Sequence, residues 1–183
     1  MPDQRLTSLA PLGQSAPKTD TIGPITISEN TSIALASLAT RKGREADVAK
    51  AANALNITLP GPGRASDIAL WLGPDQWMIE APFATHEDIA GHLKATFGDA
   101  ASITEQTDAW VRFDVTGPDL HAMFERICNL DTRAMKPGDG TRTVIEHLGC
   151  YVICKAGGAT ILGPRSSAKS LFHALSVAAK SAY

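Results

Sequence analysis

Val111-Arg112-Phe113-Asp114-Val115-Thr116-Gly117-Pro118 is the stretch that decides the fold class. Val111, Phe113 and Val115 alternate with Arg112, Asp114 and Thr116, the period-two pattern of a strand with one buried face and one wet face. Gly117-Pro118 ends that strand. Proline near the first helical position opens a helix whose core stripe is Leu120, Met123, Phe124 and Ile127. A strand that hands over directly to an amphipathic helix marks a chain of mixed α and β structure.

Upstream, ordered structure is expected from near Ile25. Ile33, Leu35 and Leu38 lie in an apolar run that reads as a buried strand. Gly43 then opens a helix with Val48, Ala51, Ala52 and Leu55 on one face. Pro60-Gly61-Pro62-Gly63 is a loop. Ile68 to Leu72 and Gln76 to Glu80 read as a hairpin around Gly73-Pro74-Asp75. After Pro82, Thr85 is the expected N-cap of a helix carrying Ile89, Leu93 and Phe97, with Gly98 beyond its end. A strand near Ser102 to Gln106 closes this part.

Downstream, a loop from Asn129 to Gly140 leads to three short strands, Thr143 to His147, Tyr151 to Cys154 and Thr160 to Leu162. The last helix spans about Ser166 to Lys180, with Leu171, Leu175 and Ala178 on one face and Phe172 at its edge. The order is β-α-β-β-α-β, then β-α-β-β-β-α. It predicts an α+β chain of two fused split-βαβ (ferredoxin-like) units with antiparallel sheets and packed helices. An extended N-terminal arm is expected over residues 1–22, followed by a single domain over 23–183 with pseudo-halves at about 23–107 and 108–183. Leu6, Leu9 and Leu12 on the arm suit either docking on a partner or wrapping of its own domain.

The 183 residues are 44% apolar and 20% charged, enough for a packed core and against disorder. A formal net charge of -2 supplies no basic field for nucleic acid or anionic lipid. No apolar run approaches the roughly 18 residues that cross a bilayer. Met1 to Asp20 is polar and interrupted by prolines, unlike a secretory signal, and three cysteines make no disulfide framework. A cytoplasmic protein with reduced thiols is expected.

His147, Cys150 and Cys154 are close in sequence but lack the pairing and the fourth ligand of a structural zinc site. Gly138-Asp139-Gly140-Thr141-Arg142-Thr143 resembles a phosphate cradle, yet a strand follows it where a cradle needs a helix N-terminus. Neither a dinucleotide fingerprint nor a P-loop is present. Ser166 and Ser167 stand where serine caps a helix, and Asp108, Asp114 and Asp119 show no pairing pattern. No catalytic, cofactor-binding or metal residue is assigned. The candidates for partner contact are Trp71, Trp77, Trp110 and Arg165. Large aromatics pack in cores more often than they anchor interfaces, and Arg165 suits an internal ion pair first and a partner carboxylate second.

Five segments in order resemble the gamma subunit of heterotetrameric sarcosine oxidase. They are Leu70-Trp71-Leu72-Gly73-Pro74-Asp75-Gln76-Trp77, Val115-Thr116-Gly117-Pro118, Cys128-Asn129-Leu130-Asp131, Arg142-Thr143 and Pro164-Arg165-Ser166, spread over roughly residues 25–180. That family is similar to the folate-binding domain of the glycine-cleavage T-protein, which implies the same doubled fold. The resemblance implies a non-catalytic gamma-type subunit with alpha, beta and delta partners. It places FAD, FMN, NAD, tetrahydrofolate and zinc on those partners and none on this chain. The complex oxidatively demethylates sarcosine to glycine and hydrogen peroxide, with a one-carbon unit released as formaldehyde or passed to tetrahydrofolate. Asn129 to Arg133 and Thr104 to Trp110 depart from the family pattern. Those departures leave open a homologous subunit of an N-methylglutamate (or other N-methyl amino acid) dehydrogenase. A free-standing folate-binding protein of the T-protein type and a small enzyme with an unrecognised site are the other readings.

Overall fold

The computed structural model describes residues 7–183. Strands β1 (Thr19–Ile22), β2 (Ile25–Asn30) and β3 (Ile33–Thr40) precede helix α1 (Glu45–Ala54). β4 (Ala69–Gly73) and β5 (Gln76–Pro82) form the hairpin, and α2 (Ile89–Phe97) follows. β6 (Ala101–Glu105), β7 (Trp110–Thr116) and the single-turn α3 (His121–Phe124) lead to the meander β8 (Gly140–Ile145), β9 (Leu148–Lys155) and β10 (Gly158–Pro164). Helix α4 (Ala168–Ala182) closes the order.

These strands make two antiparallel sheets, ordered β4-β5-β3-β6 and β1-β2-β7-β10-β9-β8. In the four-stranded sheet, β3 and β4 are joined through α1 but have β5 between them. β5 and β6 are joined through α2 but have β3 between them. The six-stranded sheet does not repeat this pattern within residues 108–183. Its strand beside β7 is β2, from the N-terminal side, in register Ile27 to Val115. Ile25 and Ile27 alternate with polar residues and are fully buried in the same core as Phe113 and Val115, so burial of that face draws β2 to β7. The tight turns of the β8–β9–β10 meander need no helical crossover.

Three apolar clusters define the layers. Phe113, Phe124, Ile161, Leu171 and Leu175 belong to the cluster between the six-stranded sheet and α3–α4. Leu38, Val48, Ile79, Leu93 and Phe97 fill the cluster between the four-stranded sheet and α1–α2. Leu35, Leu70, Met78, Tyr151, Ile153 and Leu162 lie between the sheets, which therefore stack face to face with helices on both outer sides. Burying each large side chain contributes about 1.5–3 kcal/mol. Gly163 permits the closest approach of α4: a Cβ there would lie 2.4 Å from Leu171 Cδ2.

Several local expectations change. The N-cap of α2 is Asp88, whose carboxylate accepts the Gly91 N–H at 2.8 Å, while Thr85 sits in the preceding turn. Ser167 precedes α4 without a side-chain capping bond. The helix expected after Pro118 is regular for one turn only; Arg126 and Ile127 then donate to carbonyls three residues back, a tightened turn. Asp75 takes a positive φ of 57° in the hairpin turn, which its short polar side chain tolerates. The arm expected over 1–22 ends in β1, and Leu12 is buried in the core. Residues 1–6, including Leu6, lie outside the described residues. No described helix is long and apolar enough to cross a membrane.

Candidate functional site

The segment before β1 is fastened to the body by two side chains. Glu29 at the end of β2 is 4% exposed, and its two carboxylate oxygens accept the backbone N–H groups of Leu12 at 2.8 Å and Lys18 at 3.0 Å. Arg165, just ahead of α4, donates from Nη2 to the Leu9 carbonyl at 3.0 Å and faces Asp108 at 3.6 Å. Between this segment and the body lies a cleft of about 300 Å³. Ile33, Leu35 and Trp110 supply its apolar lining, and Leu9 and Phe83 also border it as large, exposed side chains.

Asn30 and Arg112, which line the cleft, belong to a network centred on Asp114 behind it. Asn30 Nδ2 donates to Oδ2 at 2.8 Å. Arg112 Nε at 2.9 Å and the Thr160 hydroxyl at 2.7 Å donate to Oδ1. Arg112 Nη1 also reaches Glu80 Oε2 on the other sheet at 3.1 Å. Burial pushes the Asp114 carboxyl up. The Asn30 hydrogen bond, the Arg112 charge and the Thr160 hydroxyl outweigh it and hold the group below the usual carboxylate value.

The guanidinium groups at this cleft are already engaged. Arg112 is shared between two carboxylates and Arg165 faces one, so neither guanidinium is a free anion receptor. Among the described residues the lining contains no His or Cys, and the Thr107 hydroxyl is held at the Leu35 backbone. The cleft presents shape, an aromatic surface and a polar end, which suits contact with another surface.

Trp110 and Arg165 thus come together at one cleft, with the Trp110 ring 5.6 Å from that of Tyr151. Trp71 and Trp77 lie elsewhere, opposite each other across β4 and β5. Trp77 is half-buried and donates from Nε1 to the Pro60 carbonyl at 2.8 Å. Cys150 and Cys154 share a face of β9, but burial pushes the Cys150 thiol up to about 11 and raises Cys154 as well, so neither is an activated thiolate. Among the described residues no three His, Cys, Asp or Glu side chains converge as metal ligands. Gly138 to Thr143 forms a turn into β8, with Asp139 paired to Arg64.

The sequence reading missed Glu29, Asn30, Glu80 and Thr160. The one local signal was the polar pair Arg112 and Asp114, assigned to a wet face. The second sheet partly covers that face, and Arg112 is only 14% exposed.

No protein-family profile matches the chain, and no curated protein matches it in sequence. The fold is similar to a chain of the heterotetrameric sarcosine oxidase from Corynebacterium sp. U-96, in a complex with pyrrole 2-carboxylate. The TM-score is 0.76 at 19% identity over 86% of this chain and 84% of that one. It is also similar to the glycine cleavage system aminomethyltransferase T from Bartonella henselae, with a TM-score of 0.58 at 14% identity over 80% of this chain. The match spans 44% of that enzyme's chain. At these identities the likeness is one of fold: a mixed α+β architecture of two antiparallel sheets with helices on their outer faces.

Proposed function

We propose that this chain is a non-catalytic, gamma-type subunit of a heterotetrameric sarcosine oxidase, supporting oxidative demethylation of sarcosine to glycine. The observation that carries this reading is the shared fold over most of both chains, at a TM-score of 0.76. The ordered segments from Leu70 to Ser166 point the same way. In this reading each sheet with its helices is a ferredoxin-like unit, the second completed by β2 from the N-terminal side.

Removing a hydride from the carbon beside nitrogen needs an electron sink that no side chain provides. That chemistry therefore belongs to the alpha, beta and delta partners, with FAD, FMN, NAD, tetrahydrofolate and zinc held there, in the cytoplasm. The chain acts through contact. Leu9, Phe83 and Trp110 form the surface for it, and Arg165 keeps the N-terminal segment in place beside them. Trp71 and Trp77 are a second candidate patch. Co-expression with the candidate partner subunits tests this. One species carrying all four chains by size exclusion with light scattering is expected, and Phe83→Asp with Leu9→Asp should disperse it. A wild-type chain that stays separate from every partner would defeat the reading.

The likeness to the aminomethyltransferase favours a second reading, a free-standing folate-binding protein. Titration calorimetry of the isolated chain with tetrahydrofolate separates the two, since saturable binding belongs only to the second. The substrate range of the assembled complex separates sarcosine oxidation from N-methylglutamate dehydrogenation.

A further inference from the structure

Each sheet has two edges, and three of the four are managed in ways that discourage pairing. β1 is four residues long and carries Asp20, paired with Lys18 at 2.9 Å. β4 is covered by the segment before it, through Trp71 N–H to the Arg64 carbonyl at 3.1 Å and the Ala65–Leu70 bridge. β6 presents Ser102, Thr104 and the Glu105 carboxylate.

β8 differs. Its first N–H, on Gly140, goes outward to the Gly63 carbonyl at 2.9 Å. Backbone groups alternate along an antiparallel strand, so those of Arg142 and Val144 also point outward while Thr141, Thr143 and Ile145 bond to β9. Among the described residues no backbone group meets the Arg142 or Val144 N–H. Val144 is 55% exposed, because its cross-strand partner is Gly149, which has no side chain to cover it. The Arg142 side chain lies over Gly149, not over the open edge: a Cβ there would be 3.2 Å from its Nη2. Arg142 pairs with no carboxylate among the described residues, unlike Arg112 or Arg64. A groove of about 610 Å³ runs beside this edge, its other wall the segment with Arg126, Ile127 and Asn129. Asn129 Oδ1 accepts the Thr143 hydroxyl at 3.0 Å and fixes that wall.

We propose that the outer edge of β8 is a docking site for an extended segment of a partner polypeptide, about five residues long by strand rise. The segment adds as a further strand, places a carboxylate at Arg142 and lays an apolar side chain over Val144. Charge selects a partner over a second copy. β8 carries no carboxylate, so a second copy of this strand could not supply one to Arg142, and in the register centred on Arg142 it would set like charges opposite each other. That the partner is a subunit of the oxidase complex rests on the reading above; the edge itself does not.

The test uses the full chain and a blocked five-residue peptide with glutamate and valine two positions apart, on one face (Thr-Glu-Thr-Val-Thr), beside the same peptide with lysine for glutamate. Amide exchange is read by NMR. The glutamate peptide should slow exchange at Arg142 and Val144 at least about tenfold and the lysine peptide should not. Val144→Pro should abolish the effect without breaking the β8–β9 ladder, because that N–H points outward. Equal protection by both peptides, or by neither, would overturn the proposal, as would a dimer of the chain that Val144→Pro dissociates. In the co-expressed complex, Arg142→Glu should weaken assembly at least about tenfold while leaving the melting temperature of the isolated chain unchanged. Assembly indifferent to both variants removes the β8 edge but leaves the subunit reading standing. Failure of the wild-type chain to assemble removes the subunit reading, and the peptide experiment then decides the edge alone.

Discussion

Arg112 on β7 reaches across the layer between the sheets to Glu80 on β5, with Nη1 3.1 Å from Oε2. The same guanidinium holds Asp114 through Nε, so one side chain ties the two sheets and the cleft together.

Asp114→Asn should therefore destabilise the protein by about 1.5–3 kcal/mol at neutral pH, the range for hydrogen bonds to a charged group. The Asp114 pKa is lowered in the folded state. Its contribution is full above the unfolded value of about 3.9 and is lost as pH falls through the lower folded value. Denaturant midpoints of the native chain should fall as pH drops below about 4, and the variant should show a shallower decline. A cost under about 0.5 kcal/mol would remove Asp114 from its central role.

The strand at Val111 to Thr116 was legible because its apolar period is strict and one face fills a core. What its other face met was not legible. Asn30 is 84 residues from Asp114 in the chain, and Thr160 is 46 away. Local pattern carries no record of such pairs, so polar residues bound between sheets look like solvated ones. The hairpin at Trp71 and Trp77 was readable from its turn residues, while the entry of β2 into the far sheet depends on competition among buried strands. At the site, Trp110 and Arg165 were visible as conspicuous residue types. Glu29 was not, since nothing local marks a carboxylate that binds the backbone of a distant segment.

The helical stripes make a direct test of the core. Phe124→Ala should cost about 3–5 kcal/mol and Leu175→Ala about 2–5 kcal/mol in equilibrium unfolding, because both side chains are buried against the six-stranded sheet. A change below about 0.5 kcal/mol at both positions would contradict that packing.

Cys150 is 0% exposed and its thiol is pushed up to about 11 by burial. Alkylation with iodoacetamide at pH 8, followed by peptide mass spectrometry, should leave Cys150 unmodified in the folded chain. Denaturation should expose it. Rapid labelling in the native state would show that β9 opens at this position.

Glu29→Ala removes the acceptor for two backbone N–H groups, of which Leu12's is buried. The expected cost is about 1–3 kcal/mol, with new proteolytic cleavage between Ser8 and Pro17. Arg165→Ala should open the same segment at a cost below about 1 kcal/mol, since its ion pair with Asp108 is exposed. Unchanged cleavage in both variants would show that the segment is held by other contacts.

Sarcosine turnover by the reconstituted complex, measured with and without this chain, tests the subunit reading most directly. The expected result is a flavin-containing complex that turns over sarcosine when the chain is present, fails to assemble stably when it is omitted, and gives a colourless, inactive protein when the chain is purified alone. Sarcosine turnover by the isolated chain, or a stable and fully active complex assembled without it, would contradict the reading.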